Sequence, residues 1–251
     1  MKDKSFCIAN WKMYLNNIES INFIKKFIKY DFSLNNNCEI VICPSFTSIP
    51  LLIDLIDNNN ISLGSQDISN YEKGAFTGEI SFTMLEELNC KWSIVGHSER
   101  RQLLGESNDI IAEKLKLLYN KSLLKPIFCI GETLDEMQAN KTQYILESQI
   151  ESGMTDLNFN SGKDLLIAYE PVWAIGTGIS ADIDTIYKNI KIIKDFIKKF
   201  DTKNCNIYLL YGGSVNEDNA SEIYSLNEIN GFLIGSVSAD PQKFYSIYEQ
   251  F

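Results

Sequence analysis

The chain has 251 residues, 45% hydrophobic and 22% charged, with 23 Lys and Arg against 33 Asp and Glu for a formal net charge of −10. These are the proportions of a globular protein, and no apolar run approaches the roughly 20 residues that span a bilayer, so disordered and membrane classes are excluded. The acidic balance opposes non-specific binding to nucleic acid or an anionic lipid surface, and any anionic substrate must be attracted locally.

Short apolar, β-rich runs recur with amphipathic segments between them, the pattern of a parallel sheet covered by helices. In chain order the predicted strands are Ser5 to Trp11, Cys38 to Pro44, Ile61 to Gln66, Trp92 to Gly96, Lys125 to Gly131, Asp164 to Glu170, Asn206 to Gly213 and Gly231 to Ser236. Between them run helical repeats such as Ile18, Ile21, Ile24 and Ile28, and Ile186, Ile190, Ile193 and Ile197, each giving one apolar stripe to lay on a sheet. No linker or composition break divides residues 1–251. The expectation is one α/β domain, an eight-stranded parallel (β/α)8 barrel.

The N-terminal stretch has no long apolar segment or small-residue cleavage site, and six cysteines are scattered without a C-x-x-C pair. Both features suit an intracellular, reducing location. The runs Asn35 to Asn37 and Asn58 to Asn60 read as polar loop tips.

In a parallel barrel, chemistry gathers at the carboxyl ends of the strands. Phe6, Ile8, Asn10 and Lys12 share one face by two-residue alternation, so an amide and an ammonium emerge together at the end of the first strand. His97, the only histidine, follows the fourth strand, and Glu170 closes the sixth just before Pro171. Singly, each is equally a solvated strand end or a packed residue. Together they supply a base, a hydrogen-bonding imidazole and a cation. The runs Tyr211 to Val215 and Ile234 to Ser238 follow strands seven and eight, where barrels often hold phosphate on backbone N–H groups. A helix starting near Asp240-Pro241 would add its N-terminal field. The match of Gly176 to Ala181 to a dinucleotide fingerprint lacks the strand-to-helix turn that motif needs.

Along its whole length the chain resembles the triosephosphate isomerase family, through ANWKM (Ala9 to Met13), QDISNYEKGAFTGEIS (Gln66 to Ser81), VGHSERR (Val95 to Arg101), CIGE (Cys129 to Glu132), AYEPVWAIGTG (Ala168 to Gly178), YGGSV and GFLIG. The resemblance implies a TIM barrel that interconverts dihydroxyacetone phosphate and D-glyceraldehyde 3-phosphate through an enediolate, in glycolysis and gluconeogenesis, with no metal or organic cofactor. It implies Glu170 as the carboxylate base, His97 as a neutral imidazole serving the substrate oxygens, and Lys12 with Asn10 as a substrate-binding pair. Ser98 matches a residue that holds the base, Glu99 one that pairs with the lysine, and Cys129 a supporting position. Gly176, in the closing lid, together with Ser214, Gly235 and Ser236, is implied in binding substrate phosphate.

Three departures from the family stand out. Ser236 replaces a common glycine, so its side chain either crowds the phosphate or adds a donor, and it costs stability if the backbone there needs positive φ. Ile179-Ser180-Ala181 replaces the commoner Lys-Thr-Ala at the lid hinge, and Tyr14 replaces a common asparagine. The family's docking arm, with Thr77 near its tip, and the segment Met13-Tyr14 imply a homodimer, which the expected intracellular location places in the cytoplasm. Two rival readings remain: another phosphosugar barrel enzyme using Lys12 as a Schiff base, and a catalytically silent metabolite-binding barrel.

Overall fold

Strands β1 (Ser5–Asn10), β2 (Cys38–Cys43), β3 (Ile61–Ser65), β4 (Trp92–Val95), β5 (Lys125–Ile130), β6 (Leu165–Tyr169), β7 (Ile207–Tyr211) and β8 (Gly231–Ile234) pair in parallel with their sequence neighbours. β8 pairs in turn with β1, Phe6 opposite Gly231 and Ala9 opposite Ile234, which closes the barrel. This arrangement comes from a computed structural model, which describes residues 2, 4–35, 37–56, 61–175 and 181–251. Every expected strand is present, trimmed by one or two residues at some ends. None of the described helices is long and apolar enough to cross a membrane.

The continuous apolar runs are explained by burial on both faces of the sheet. Phe6 and Ile8 point into the barrel, where Trp92, Ile127, Leu166 and Leu233 fill the interior. Their neighbours Cys7 and Ala9 point outward into a second apolar layer beneath the helices. That outer layer is covered by α1 (Asn17–Phe27), α2 (Ile49–Ile56), α3 (Phe82–Glu87), α4 (Ser98–Leu103), α5 (Asn108–Lys121), α6 (Leu134–Gln138), α7 (Thr142–Met154), α8 (Ile183–Ile197), α9 (Ala220–Tyr224) and α10 (Pro241–Tyr248). The predicted stripe Ile186, Ile190, Ile193 and Ile197 of α8 is buried. Each such side chain contributes roughly 1.5–3 kcal/mol of transfer free energy. Local signals set the helix starts: Asn16 and Glu19 form a capping box on α1, and Asp240 caps α10 with Pro241 in its first turn.

The amino ends of the strands carry a belt of paired polar groups. Lys125 Nζ lies 2.7 Å from Asp164 Oδ2, Lys4 Nζ 3.1 Å from Glu39 Oε2, and Trp92 Nε1 donates to Glu39 Oε1 at 2.7 Å. Asn206 donates to the other oxygen of Asp164 at 3.0 Å. Burial pushes the Asp164 carboxyl up, but the bonds from Lys125 and Asn206 and the charges of Lys125 and Lys4 outweigh it and hold the group below the usual carboxylate range. A carboxyl depressed by folding adds stability above its unfolded value of 3.8 and loses it as pH falls through the lower folded value. Asp164→Asn is therefore expected to flatten the acid limb of stability measured by urea unfolding below about pH 4. An unchanged limb would refute the assignment.

Three expectations need correction, the third in part. Lys12 lies beyond the end of β1 with φ +50°, so a left-handed turn, not strand alternation, sets its direction. The helix at Pro241 forms, but the turn facing the active end is a short 3-10 segment, Ser236–Ala239, so the dipole of α10 is not what lies there. The asparagine runs are partly corrected too: Asn35 donates to the Tyr248 carbonyl at 3.2 Å and so anchors α10. Asn36 and Asn58 to Asn60 lie outside the described residues.

Candidate active site

At the carboxyl ends of the strands a cavity of about 360 Å3 is lined by Asn10, Lys12, His97, Glu99, Glu170, Gly212, Gly213, Ser214, Gly235 and Ser236. The hollows at the amino ends are larger, 760 and 1110 Å3, but charged groups there, such as Lys4, Glu39 and Lys125, are already paired with one another or with Asp164. Only the smaller cavity gathers the three strand-end groups that the sequence singled out.

Lys12 is held there at a conformational cost. A left-handed backbone costs a non-glycine residue about 1–2 kcal/mol. Asparagine tolerates this region, whereas lysine has no local side-chain bond to offset it; the other described non-glycine residues with positive φ are Asn89 and Asn140. The surroundings hold the turn: Asn10 Oδ1 accepts the Lys12 amide at 3.1 Å, and Gln66 Nε2 donates to the Lys12 carbonyl at 2.7 Å. The ammonium meets Glu99 Oε1 at 2.6 Å, as the resemblance implied. Glu99 is 43% exposed, so water already competes for it and an incoming anion can exchange with it at little cost.

His97 sits where β4 ends and α4 begins, and it is also the cap of that helix. Its Nδ1 accepts the Glu99 backbone N–H at 3.2 Å. The Glu99 carboxylate is 3.6 Å from the same nitrogen, too long for a hydrogen bond. An Nδ1 that accepts carries no proton, so the proton is on Nε2, which faces Glu170 Oε1 at 3.2 Å. With a single histidine in the chain, imidazole 15N shifts are expected to report the Nε2–H tautomer. A proton found on Nδ1 would contradict the cap geometry.

Glu170 is 1% exposed. Its Oε2 accepts the Ser98 backbone N–H at 3.0 Å, so Ser98 holds the carboxylate through its main chain. The functional and structural readings of Ser98 to Arg100 therefore both apply: one turn of helix caps itself on His97 and anchors Glu170. Cys129 lies in the barrel interior, and burial raises its thiol well above the usual range. It is a packing floor beneath Glu170 and not a nucleophile.

Ser236 opens its 3-10 turn at the cavity edge and is exposed. Its φ is not positive, which removes the expected backbone cost. Gly235 faces the Lys12 side chain, and Ser214 Oγ donates to the Ala174 carbonyl at 2.5 Å, tying the loop after β7 to the segment after β6. Gly176, Ile179 and Ser180 lie outside the described residues. Tyr14, expected only at an interface, also lines the cavity and is 58% exposed. Met13 and Thr77 are exposed on the surface.

Several contributors carried no assignment in the sequence. Glu132 is fully buried, and its Oε1 accepts from Trp173 Nε1 at 2.9 Å and Tyr169 OH at 3.1 Å, which fixes the segment that follows Glu170. Burial pushes the Glu132 carboxyl up. Lys114 contacts Asp67 at 2.8 Å and Glu106 at 2.6 Å beneath α4, with Arg100 closing the same cluster. Gln149 could have been noticed as a lone amide among the apolar positions Leu146, Ile150 and Met154 of α7.

The parallel barrel, with a carboxylate, an imidazole and an ammonium at or just past three strand ends beside glycine-rich loops, carries the groups that proton transfer on a small anionic substrate requires. The family model described as triosephosphate isomerase matches residues 5–251. The triosephosphate isomerase of Dictyoglomus thermophilum is 43% identical over 241 residues, covering 95% of this chain and 96% of that protein. That of Aquifex aeolicus is 40% identical over 244 residues (97% and 98%), and that of Clostridium tetani 37% over 246 residues (97% and 95%). The chain belongs to the triosephosphate isomerase family.

Proposed function

We propose that this chain interconverts dihydroxyacetone phosphate and D-glyceraldehyde 3-phosphate, with Glu170 as the base, His97 and Lys12 as the groups that stabilise the developing oxyanion, and residues 1–251 as one barrel domain. The observation that carries this reading is the convergence of Glu170, His97 Nε2 and the Lys12 ammonium on one cavity. A hydrogen on carbon next to a carbonyl is too weakly acidic for a carboxylate to remove unaided. Lys12 supplies positive charge and His97 an N–H as the carbonyl oxygen gains charge. Glu170 takes the proton from one carbon and returns it to the other, while the neighbouring oxygens exchange theirs through His97. Ser214, Gly235 and Ser236, with Gly176 on the strength of the resemblance, hold the phosphate, and exclusion of water protects the enediolate.

A Schiff-base mechanism fits the geometry less well. The Lys12 amine, bonded to Glu99 at 2.6 Å, offers protons and not a lone pair. A coupled assay on purified protein is expected to show isomerase activity in both directions, and borohydride with substrate to leave no adduct on Lys12. A folded, inactive protein would favour a silent metabolite-binding barrel. Ser236→Gly is expected to lower stability by roughly 0.5–1 kcal/mol, the backbone-entropy cost of glycine where φ is not positive, and to weaken binding of a phosphate analogue about threefold, the loss of one hydrogen-bond donor. Equal affinity would show that the hydroxyl adds nothing.

The proposed assembly is an isologous homodimer in the cytoplasm. Met13 (97% exposed), Leu103 (77%) and Leu104 (65%) are apolar side chains that a partner would cover. Sedimentation analysis is expected to give twice the 28.6 kDa chain mass.

A further inference from the structure

Strand β4 leaves the sheet before its neighbour does. Its last rung with β5 pairs Val95 with Phe128, and at Gly96 the backbone turns to φ +74°, which brings His97 to the cavity. β5 continues beside β6: Glu170 N donates to the Ile130 carbonyl at 2.7 Å and Val172 N to the Glu132 carbonyl at 3.0 Å. In a parallel strand, successive residues turn their peptide groups to opposite neighbours. Ile130 and Glu132 face β6, so Cys129 and Gly131 face the side that β4 has left. Placing His97 in the cavity thus opens a buried polar edge, and buried peptide groups are rarely left unpaired.

Two side chains from the outer helices fill that edge. Arg101 of α4 donates through Nη2 to the Cys129 carbonyl at 3.0 Å and through Nε to the Gly96 carbonyl at 2.7 Å. Gln149 of α7 meets both polar groups of Gly131: its Oε1 accepts the N–H at 2.8 Å, and its Nε2 donates to the carbonyl at 3.0 Å. The amide of Gln149 reproduces what a neighbouring strand would have offered. Gly131 is also the surface on which the base rests. A Cβ there would fall 1.7 Å from the Glu170 carbonyl oxygen and 3.3 Å from its Cα, so the two backbones are in direct contact.

We propose that Gln149 is a positioning residue for the isomerisation, standing in for the departed strand so that Gly131, and through it the backbone of Glu170, keeps a single position. The inference rests on Glu170 being the base. Gln149 touches no substrate; it acts by setting the distance from carboxylate to carbon, to which proton transfer is steeply sensitive.

The test uses two variants, with substrate deuterated at the carbon that loses its proton. Gln149→Met keeps the length and removes both bonds; Gln149→Asn, one methylene shorter, keeps the amide but cannot reach both groups and is the milder change. After normalisation to the folded fraction by circular dichroism, kcat is expected to fall roughly tenfold or more in Gln149→Met, and less in Gln149→Asn, with KM within about twofold. The primary isotope effect on kcat is expected to rise in both as proton abstraction becomes slower relative to the other steps. A purely structural role would lower the folded fraction and leave the isotope effect unchanged. Either variant, folded, with wild-type kcat and isotope effect overturns the proposal, as does a loss that disappears on normalisation. If wild type is active but Glu170→Ala is equally active, the base assignment itself has failed, whatever the Gln149 variants do.

Discussion

Glu170→Ala is expected to lower kcat by roughly four orders of magnitude, the upper end of what a positioned general base contributes. Nothing else described in the cavity can replace it. Glu99 is bound to Lys12 and half exposed, and His97, with its proton on Nε2, has no lone pair directed at the substrate. The loss is expected in kcat with little change in KM, because the carboxylate meets a carbon-bound hydrogen and adds little to ground-state binding. Glu170→Asp is the sharper variant. It retains the charge but withdraws the carboxylate by about one carbon–carbon bond, roughly 1.5 Å. A misplacement of that size costs on the order of a hundredfold. A coupled assay with both variants checks the prediction, and an alanine variant within tenfold of wild type would remove Glu170 from the mechanism.

Lys12→Met is expected to lower kcat/KM by roughly two to three orders of magnitude, comparable to removing one preorganised oxyanion donor. The chain carries a formal net charge of −10, and Lys12 is the one Lys or Arg among the described residues lining the cavity. Its removal takes away the attraction for the substrate anion and leaves the Glu99 and Glu170 carboxylates facing the same space without a counter-charge. Two effects are therefore combined, and the double variant Lys12→Met with Glu99→Gln separates them. Relief of repulsion should recover part of the KM change and little of kcat. Lys12→Arg is not a conservative alternative, since a planar, forked guanidinium cannot reproduce the point charge of the ammonium that meets Glu99 at 2.6 Å. A Lys12→Met enzyme with wild-type kcat/KM at low salt would contradict the electrostatic role.

The barrel was legible because each strand is buried on both faces and each helix on one, so burial writes continuous apolar runs and 3.6-residue stripes directly into the order of residues. The proposed catalytic groups were legible for a related reason. A polar residue just past an apolar run lies at a strand end, as Asn10, His97 and Glu170 do, whatever the rest of the chain is doing. Lys12 was reached by the same pattern but through the wrong geometry: two-residue alternation stops at Asn10, and the turn beyond it depends on Gln66, which is 54 positions away.

Local spacing thus determined where the strands lie along the chain, which helix faces are apolar and which polar residues stand at strand ends, because each follows from periodicity and chain direction over a few residues. Tertiary structure alone decided how those groups are held. The proton on Nε2 of His97 depends on a helix starting at that residue, and the anchor on Glu170 depends on a Ser98 amide 72 positions away. The pairing of Gly131 with Gln149 depends on one strand ending before its neighbour. These are hydrogen bonds between groups brought together by closure of the barrel. Their geometry is set by which peptide groups the closed sheet leaves unpaired, a quantity with no local signature in the order of residues.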